Sequence, residues 1–223
     1  MHDAQRPADP RRLEANRACL ALPFAHLNLR YNPFGELPLE LRPSLAVLDP
    51  EPFLARLAPL RAALQFLGEK GRGKTTHLLA LRSARPGVYV HLPEDGPLPA
   101  VPLDAPLLYL DESQRLPWRL RRALFAGPSR LVLGTHRDHR RALRWAGRPV
   151  VTVKVGDALD ETRLREILER RIEAARRGPG PVPRLTKRAI ERLLARFGDD
   201  LRGIEHFLYE RFQALDAPGD VDA

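Results

Sequence analysis

The amino-acid sequence predicts an α/β fold, in which a mainly parallel β-sheet covered by helices is followed by a C-terminal bundle of three helices. Short apolar runs alternate with helical segments between residues 63 and 155, the pattern of parallel strands joined by crossover helices. A glycine-rich loop follows the first of these apolar runs. From Thr162 onward, the apolar residues repeat with a helical period only. These observations place the sheet first and the helical bundle second.

The composition indicates a soluble, intracellular chain. The 223 residues suffice for one full domain, alone or with a small helical appendage. The single cysteine, Cys19, has no partner for an internal disulfide, which suits a reducing compartment. No apolar run resembles a signal peptide or reaches the roughly 20 residues of a membrane helix. We therefore expect a cytoplasmic protein without a membrane partner.

The charge balance is basic and rests on arginine. Lys and Arg number 37 against 28 Asp and Glu, which gives a formal net charge of +9. The lysines are few, namely Lys70, Lys74, Lys154 and Lys187. An arginine-rich surface suits a phosphate-rich partner such as DNA or RNA. The alternative is a compositional bias of GC-rich coding, which also favours Arg over Lys.

The N-terminal part contains turn and cap signals but no strand. Residues 1–24 show no sustained period and are predicted to be a mobile arm, with a helix over residues 11–22 as the alternative. Asn32-Pro33-Phe34-Gly35 is a turn signal. A short helix is predicted to begin at Asp49-Pro50 and to end before Pro59.

The α/β domain is predicted to span residues 25–157. Its strands are expected at residues 63–67, 87–92, 107–110, 130–134 and 150–155, with helices at 74–82 and 118–125. Residues 93–106 carry five prolines, which excludes a helix of any length there.

The C-terminal helices are predicted to form a lid over residues 158–216, with a tail at 217–223. Three apolar faces repeat at helical spacing in this part of the chain. Thr186 is a cap signal for the second helix, Gly198 ends that helix, and Asp199 or Asp200 begins the third.

The loop after the first strand has the composition of a phosphate cradle. Triphosphate binding needs converging backbone N–H groups, and glycines at 68, 71 and 73 leave the space for them. Lys74 adds a charge toward the β- and γ-phosphates, and the Thr75 hydroxyl is placed to ligate Mg²⁺. The sequence therefore predicts a P-loop NTPase core whose nucleotide contacts are Gly68, Glu69, Lys70, Gly71, Arg72, Gly73, Lys74, Thr75 and Thr76.

The third predicted strand ends in two carboxylates. Asp111 and Glu112 follow an apolar run at the edge of the sheet where ligands bind in open α/β folds. Asp111 is predicted to hold the Mg²⁺ shell, and Glu112 is predicted to polarise the attacking water as general base. Such a pair favours hydrolysis over phosphoryl transfer to a substrate. The alternative is two solvated carboxylates after a buried strand.

With these motifs in this order, the chain resembles the AAA+ ATPases over residues 32–212. It is most similar to compact forms that assist DNA transactions, such as replication initiators and transposition ATPases. The resemblance implies ATP and Mg²⁺ as ligands, a homo-oligomer, and nucleic-acid and protein partners. One departure is the proline-rich stretch at residues 93–106, where the family has a helix, and it argues against a threading unfoldase.

The resemblance also implies roles for single residues. A polar residue after the fourth strand senses the γ-phosphate in such proteins, and this position is held by Thr135, with His136 second. Arg202, at the start of the last lid helix, corresponds to an arginine that reaches the phosphates. The alternatives are a helix cap for Thr135 and a solvated surface arginine for Arg202.

Two further roles follow from the same resemblance. Phe34, in the segment before the cradle, is similar to a base-contacting residue, with a core anchor as the alternative. Arg148, just before the fifth strand, corresponds to an arginine that acts on ATP held by a neighbouring subunit. Arg144 is the second choice, and a plain surface arginine is the alternative.

Two arginine clusters lie at residues 115–122 and 137–148. The first contains Trp118 and the second contains Trp145. Arginines with interleaved aromatics suit a nucleic-acid backbone, whereas the alternatives are a solvated helix face and a subunit interface. His136 and His139 lack a third ligand for zinc.

The sequence thus predicts an ATP-hydrolysing protein that assembles on nucleic acid and drives or regulates another protein. The alternative is a nucleotide-dependent switch or scaffold with negligible hydrolysis. A kinase is disfavoured by the pairing of Asp111 with Glu112.

Overall fold

Five parallel strands form the central sheet of the computed structural model, which describes residues 23–38, 40–155 and 159–222. The strands are β1 (Ala63–Leu67), β2 (Val88–His91), β3 (Leu107–Asp111), β4 (Arg130–Thr135) and β5 (Val150–Lys154). Their order across the sheet is β2-β3-β4-β1-β5. All five predicted strands are confirmed, so the carboxyl ends of β1, β3 and β4 meet at one edge. Most of the predicted N-terminal arm, residues 1–22, lies outside the described residues.

Helices cover both faces of the sheet. They are α1 (Arg42–Leu45), α2 (Glu51–Ala55), α3 (Lys74–Ala84), α4 (Trp118–Ala126) and α5 (Arg140–Trp145). Because strand side chains alternate between faces, Phe66 packs with α3 on one side and Leu110 packs with α4 on the other. The α/β fold class is therefore confirmed. The sequence did not predict α1 or α5, which are only one to two turns long.

Three helices form the C-terminal bundle, namely α6 (Glu161–Ala175), α7 (Lys187–Phe197) and α8 (Leu201–Gln213). The Thr186 side chain accepts a hydrogen bond from Ala189 N at 3.0 Å, as expected of the cap of α7. Of the two aspartates proposed to begin the third helix, Asp200 is the cap, and it accepts from Gly203 N at 3.2 Å. No helix in the described parts of the chain combines the length and apolar character of a membrane span.

The segment before the sheet packs into the helical bundle. Phe24, Leu27, Leu29 and Phe34 are buried in the core of the bundle. Arg171 on α6 donates to Pro33 O and to Gly35 O, each at 2.8 Å, so the turn at residues 32–35 is fixed to the lid. In space, residues 24–34 therefore belong with the lid, although the sequence placed residue 24 in the N-terminal arm and residues 25–34 in the α/β domain.

The predicted tail also joins the lid. Two short strands, β6 (Arg184–Leu185) and β7 (Asp220–Val221), pair in parallel, and Val221 is buried. This pairing links residues far apart in the chain, so no local pattern marked it.

Arg148 corrects one prediction from the sequence. Its side chain is only 3% exposed, and burial lowers its pKa to about 10, so the guanidinium stays charged at neutral pH. It donates five hydrogen bonds of 2.6–2.9 Å, to the carbonyl oxygens of Arg61, Leu124, Phe125, Gly127 and Ser129. Arg148 therefore ties α4 to the loops at the amino edge of the sheet, and its side chain is not available to a neighbouring subunit.

We expect Arg148→Ala to lower the free energy of unfolding by at least about 3 kcal/mol, because several buried carbonyl groups lose a charged donor. In a chain of this size, that corresponds to a fall in melting temperature of about 6 °C or more. Thermal denaturation followed by circular dichroism measures it. Arg144→Ala is the matched control, since Arg144 is exposed one turn away. Equal melting temperatures for the two variants would contradict the structural role of Arg148.

Candidate functional site

The glycine-rich loop connects β1 to α3 at the carboxyl edge of the sheet. Gly71 and Gly73 have φ angles of 88° and 87°, in the left-handed region that favours glycine. A Cβ at Gly68 would lie 2.5 Å from Val155 O, so the loop passes the end of β5 too closely for any side chain. The spacing of the glycines is therefore required by the backbone as well as by space for a ligand.

Lys74, the first residue of α3, points into this loop. Its side chain is buried, and Nζ donates to Gly68 O at 2.9 Å and to Glu69 O at 2.8 Å. Burial lowers the pKa of Lys74, while the carboxylates of Glu112 and Asp111 act in the opposite direction. Within the loop, the Lys74 ammonium group thus bonds only to neutral carbonyl oxygens.

Asp111 ends β3 directly beside the start of α3. Its carboxylate is fully buried, and Oδ2 accepts hydrogen bonds from Thr75 Oγ1 at 2.7 Å and from Tyr89 Oη at 3.2 Å. His91 Nδ1 lies 3.4 Å from the same oxygen. A hydroxyl and a carboxylate in contact are the hard oxygen donors that Mg²⁺ prefers, so Thr75 and Asp111 fit a magnesium site.

Glu112 follows in a left-handed conformation, with a φ angle of 58°. Its Oε2 accepts a hydrogen bond from Gln114 Nε2 at 2.6 Å and lies 3.3 Å from His136 Nε2. Gln114 Oε1 in turn accepts from the backbone N–H of His136 at 3.2 Å. Gln114 therefore links the ends of β3 and β4. The sequence did not single out this glutamine, since nothing in its local pattern distinguishes it from a surface residue.

Thr135 was predicted to sense the γ-phosphate, but its side chain makes other contacts in the structure. The residue is fully buried, and its hydroxyl donates to Arg137 O at 2.8 Å and accepts from Arg137 N at 2.9 Å. This side chain closes a turn after β4. The next residue, His136, lies nearer the site, with Nε2 at 3.4 Å from Lys74 Nζ as well as 3.3 Å from Glu112.

The lid meets the glycine-rich loop at the start of α8. Arg72 and Asp199 form an ion pair with an N–O distance of 2.5 Å. A Cβ at Gly71 would lie 3.3 Å from the Cβ of Arg202, and Arg202 lines the same cavity as Lys74 and Asp111. The predicted role of Arg202 toward the phosphates stays a prediction.

Two adjoining cavities lie between the sheet and the lid. The larger, of about 1060 Å³, contains the P-loop, Asp111 and Glu112 in its wall. The smaller, of about 220 Å³, begins at Gly73 and Thr76 and is lined mainly by apolar side chains. They include Val47, Leu48, Val155, Leu159 and Ile167. The sequence missed this lining because its members come from four segments of the chain, within residues 37–53, 72–77, 153–171 and 199–205.

Phe34 lies outside the smaller cavity. It is 4% exposed, and its ring meets the ring of Phe212 edge to face, with a centroid distance of 4.8 Å. The core-anchor alternative therefore describes Phe34, although the residue also reaches the wall of the larger cavity.

Comparison with known proteins gives similarity of fold only. No family model and no curated protein sequence matches the chain. Among solved structures, the RuvB Holliday junction branch migration motor of Thermotoga maritima is 21% identical, with 79% of this chain and 61% of that chain covered and a TM-score of 0.48. Replication initiator DnaA bound to AMPPCP and single-stranded DNA is 16% identical, with coverages of 78% and 65% and a TM-score of 0.48.

A DNA replication initiation factor is 17% identical, with coverages of 78% and 64% and a TM-score of 0.47. The chain spans less than two thirds of the length of each of these three proteins.

We expect Gly134→Ala to disturb the site through Asp111. A Cβ at position 134 would lie 2.6 Å from Asp111 Oδ1, so the carboxylate has to move or β4 has to shift. The expected cost is about 1–3 kcal/mol of stability, measured by thermal or urea denaturation. Gly219→Ala is the control, because its added Cβ meets nothing within 4 Å. Unchanged stability in Gly134→Ala would show that the approach of Asp111 to β4 is looser than described.

Proposed function

We propose that this chain is a Mg²⁺-dependent ATPase of the AAA+ type, which assembles into oligomers and drives or regulates a partner in a nucleic-acid transaction. The observation that carries the proposal is the convergence of Lys74, Thr75, Asp111 and Glu112 on one cavity at the carboxyl edge of the sheet. Such a combination of ammonium, hydroxyl and two carboxylates serves phosphoryl transfer from a nucleoside triphosphate.

The phosphates bind at the P-loop in this proposal. Backbone N–H groups of residues 68–76 surround them, and Lys74 exchanges its bonds to Gly68 O and Glu69 O for phosphate oxygens. Thr75 and Asp111 would hold Mg²⁺, which would supply positive charge against the phosphates of the nucleotide. The hydrogen bond between these two residues keeps the ligands together before the metal arrives.

The adenine base of the nucleotide occupies the smaller cavity in this proposal. This cavity adjoins Gly73 and Thr76, at the end of the loop that would hold the phosphates. Apolar side chains such as Val47, Leu48 and Val155 suit the faces of a flat adenine ring. The segment over residues 45–48, and not Phe34, is therefore our candidate for the base contact.

Glu112 is the proposed general base. Gln114 and His136 hold its carboxylate at the mouth of the cavity, and a water between Glu112 and the γ-phosphate would lose its proton to it. Arg202 brings a positive charge from the lid to the same cavity. It would stabilise the negative charge that spreads over the phosphate oxygens during hydrolysis.

A nucleotide-dependent switch with negligible hydrolysis is the second candidate. It is favoured by the bond of 2.6 Å from Gln114 to Glu112, which occupies one of the two carboxylate oxygens. If this bond persisted with ATP bound, the Glu112 carboxylate would be held away from the attacking water.

We expect Glu112→Gln to bind MgATP with near-normal affinity and to lose turnover by roughly 10²–10⁴-fold, since the amide keeps the shape but accepts no proton. Calorimetry measures the affinity, and phosphate release measures turnover. Lys74→Ala is the control and should lose tight MgATP binding. Wild-type turnover in Glu112→Gln would exclude Glu112 as the base. Tight binding without turnover in the native protein would support the switch.

Arg144 is our candidate for the arginine that acts on ATP held by a neighbouring subunit. Arg148 is buried, whereas Arg144 is exposed at the end of α5. An arginine inserted at the γ-phosphate of a neighbour is worth roughly 10³–10⁵ in rate. Hydrolysis would then depend on oligomer formation.

Arg144→Ala should therefore retain ATP affinity and melting temperature while turnover falls steeply. Mixing Arg144→Ala with Lys74→Ala should restore part of the turnover, because some interfaces then pair an intact Arg144 with an intact P-loop. Arg188→Ala, in an exposed lid position, is the control. Full turnover by Arg144→Ala alone would remove Arg144 from the mechanism.

A further inference from the structure

A second surface lies at the same edge of the sheet as the nucleotide cavity. Strands β3 and β4 are neighbours, so the chain that follows each of them emerges side by side. After β3 comes the start of α4, and after β4 comes the turn that leads into α5. The ring centroid of Phe125 lies 5.6 Å from that of His139, so α4 packs directly against the start of α5.

This surface carries exposed arginines with little to balance them. Between residues 115 and 149, the only carboxylate is Asp138, which pairs with Arg140 at 2.9 Å. An excess of positive charge on adjoining elements favours a polyanion. We call the following exposed residues the arginine surface: Trp118, Arg119, Arg122, Arg137, Arg140 and Arg141.

An exposed tryptophan lies within the cluster. Trp118 is 60% exposed, and the Arg119 guanidinium lies 5.6 Å from its ring centroid. A large apolar ring kept in water at the first turn of a helix contributes nothing to the core. Nucleic-acid bases stack on such rings, but only when they are not already stacked within a duplex. Arginines that can contact phosphates, together with one exposed aromatic ring on which an unpaired base can stack, suit a single strand of nucleic acid.

We infer that single-stranded nucleic acid binds across the arginine surface, with its phosphates at the arginines and a base on Trp118. This deepens the proposed function by naming the nucleic-acid partner and its contact surface, and strand binding itself requires no ATP.

Intrinsic fluorescence tests the inference directly, because Trp118 and Trp145 are the only tryptophans. Trp145 lies at the far end of α5, outside the arginine surface. The Trp145→Phe variant is titrated with a 15-nucleotide oligo-dT at low salt and without ATP. We expect saturable quenching of Trp118. In Trp118→Phe, the fluorescence of Trp145 should change little upon strand binding. In Trp118→Ala, the affinity for a labelled strand, measured by fluorescence anisotropy, should fall about ten-fold or more.

Charge variants test the phosphate contacts. The double variant Arg119→Gln with Arg141→Gln should weaken strand binding about ten-fold or more at low salt. For a single strand, it should reduce the slope of log affinity against log salt by about 1.4, or about 0.7 for each contact removed. The matched control is Arg56→Gln with Arg188→Gln, which removes the same charge from exposed positions on α2's end and on the lid.

Three results from the binding measurements would overturn the inference. They are no strand binding at low salt, equal weakening in the two double variants, and tighter binding of a duplex of the same length than of the single strand. Quenching of Trp145 in place of Trp118 would point to a different surface and would overturn it as well. Lys74→Ala should bind the strand normally, so a failure of the ATPase proposal is distinguishable from a failure of this one.

Discussion

The buried carboxylate of Asp111 is the interaction on which the geometry of the site depends. A carboxylate removed from water needs hydrogen-bond donors, and Asp111 receives them from Thr75, Tyr89 and the backbone of Glu112. These donors belong to α3, β2 and the turn after β3. Satisfying one charge therefore fixes the start of the P-loop helix against the end of β3. The absence of a side chain at Gly134 leaves the space in which this happens.

The lid is held together by Arg171 and is attached to the glycine-rich loop by Arg72. Arg171 holds the turn at residues 32–35 to α6 and also pairs with Glu205 on α8, so that the chain entering the fold and the lid form one packed unit. Arg72 reaches from the P-loop to Asp199, at the start of α8. A nucleotide between these elements would contact the sheet and the lid together. In the proposed function, its binding free energy would then depend on the position of the lid.

The turn after β4 lies between the larger cavity and the arginine surface. Thr135 closes this turn through its two bonds to Arg137. His136 faces inward, within 3.5 Å of both Lys74 and Glu112, whereas Arg137 is exposed. A ligand that binds Arg137 would contact the residue next to His136, and His136 lies 3.3 Å from Glu112, the proposed general base.

The sequence by itself determined the strands, the longer helices, the P-loop and the pair of carboxylates, because each of these is written in a local pattern of apolar spacing, glycine or cap residues. Only the tertiary structure decided what long side chains do once distant segments meet. Arg148 stands between Gly147 and Pro149, where a surface side chain is expected, yet five carbonyl oxygens, one from Arg61 and four from residues 124–129, surround it. Gln114 and His136 converge on Glu112 only because β3 and β4 are neighbours. Packing between segments sets such contacts, and no spacing along the chain encodes them.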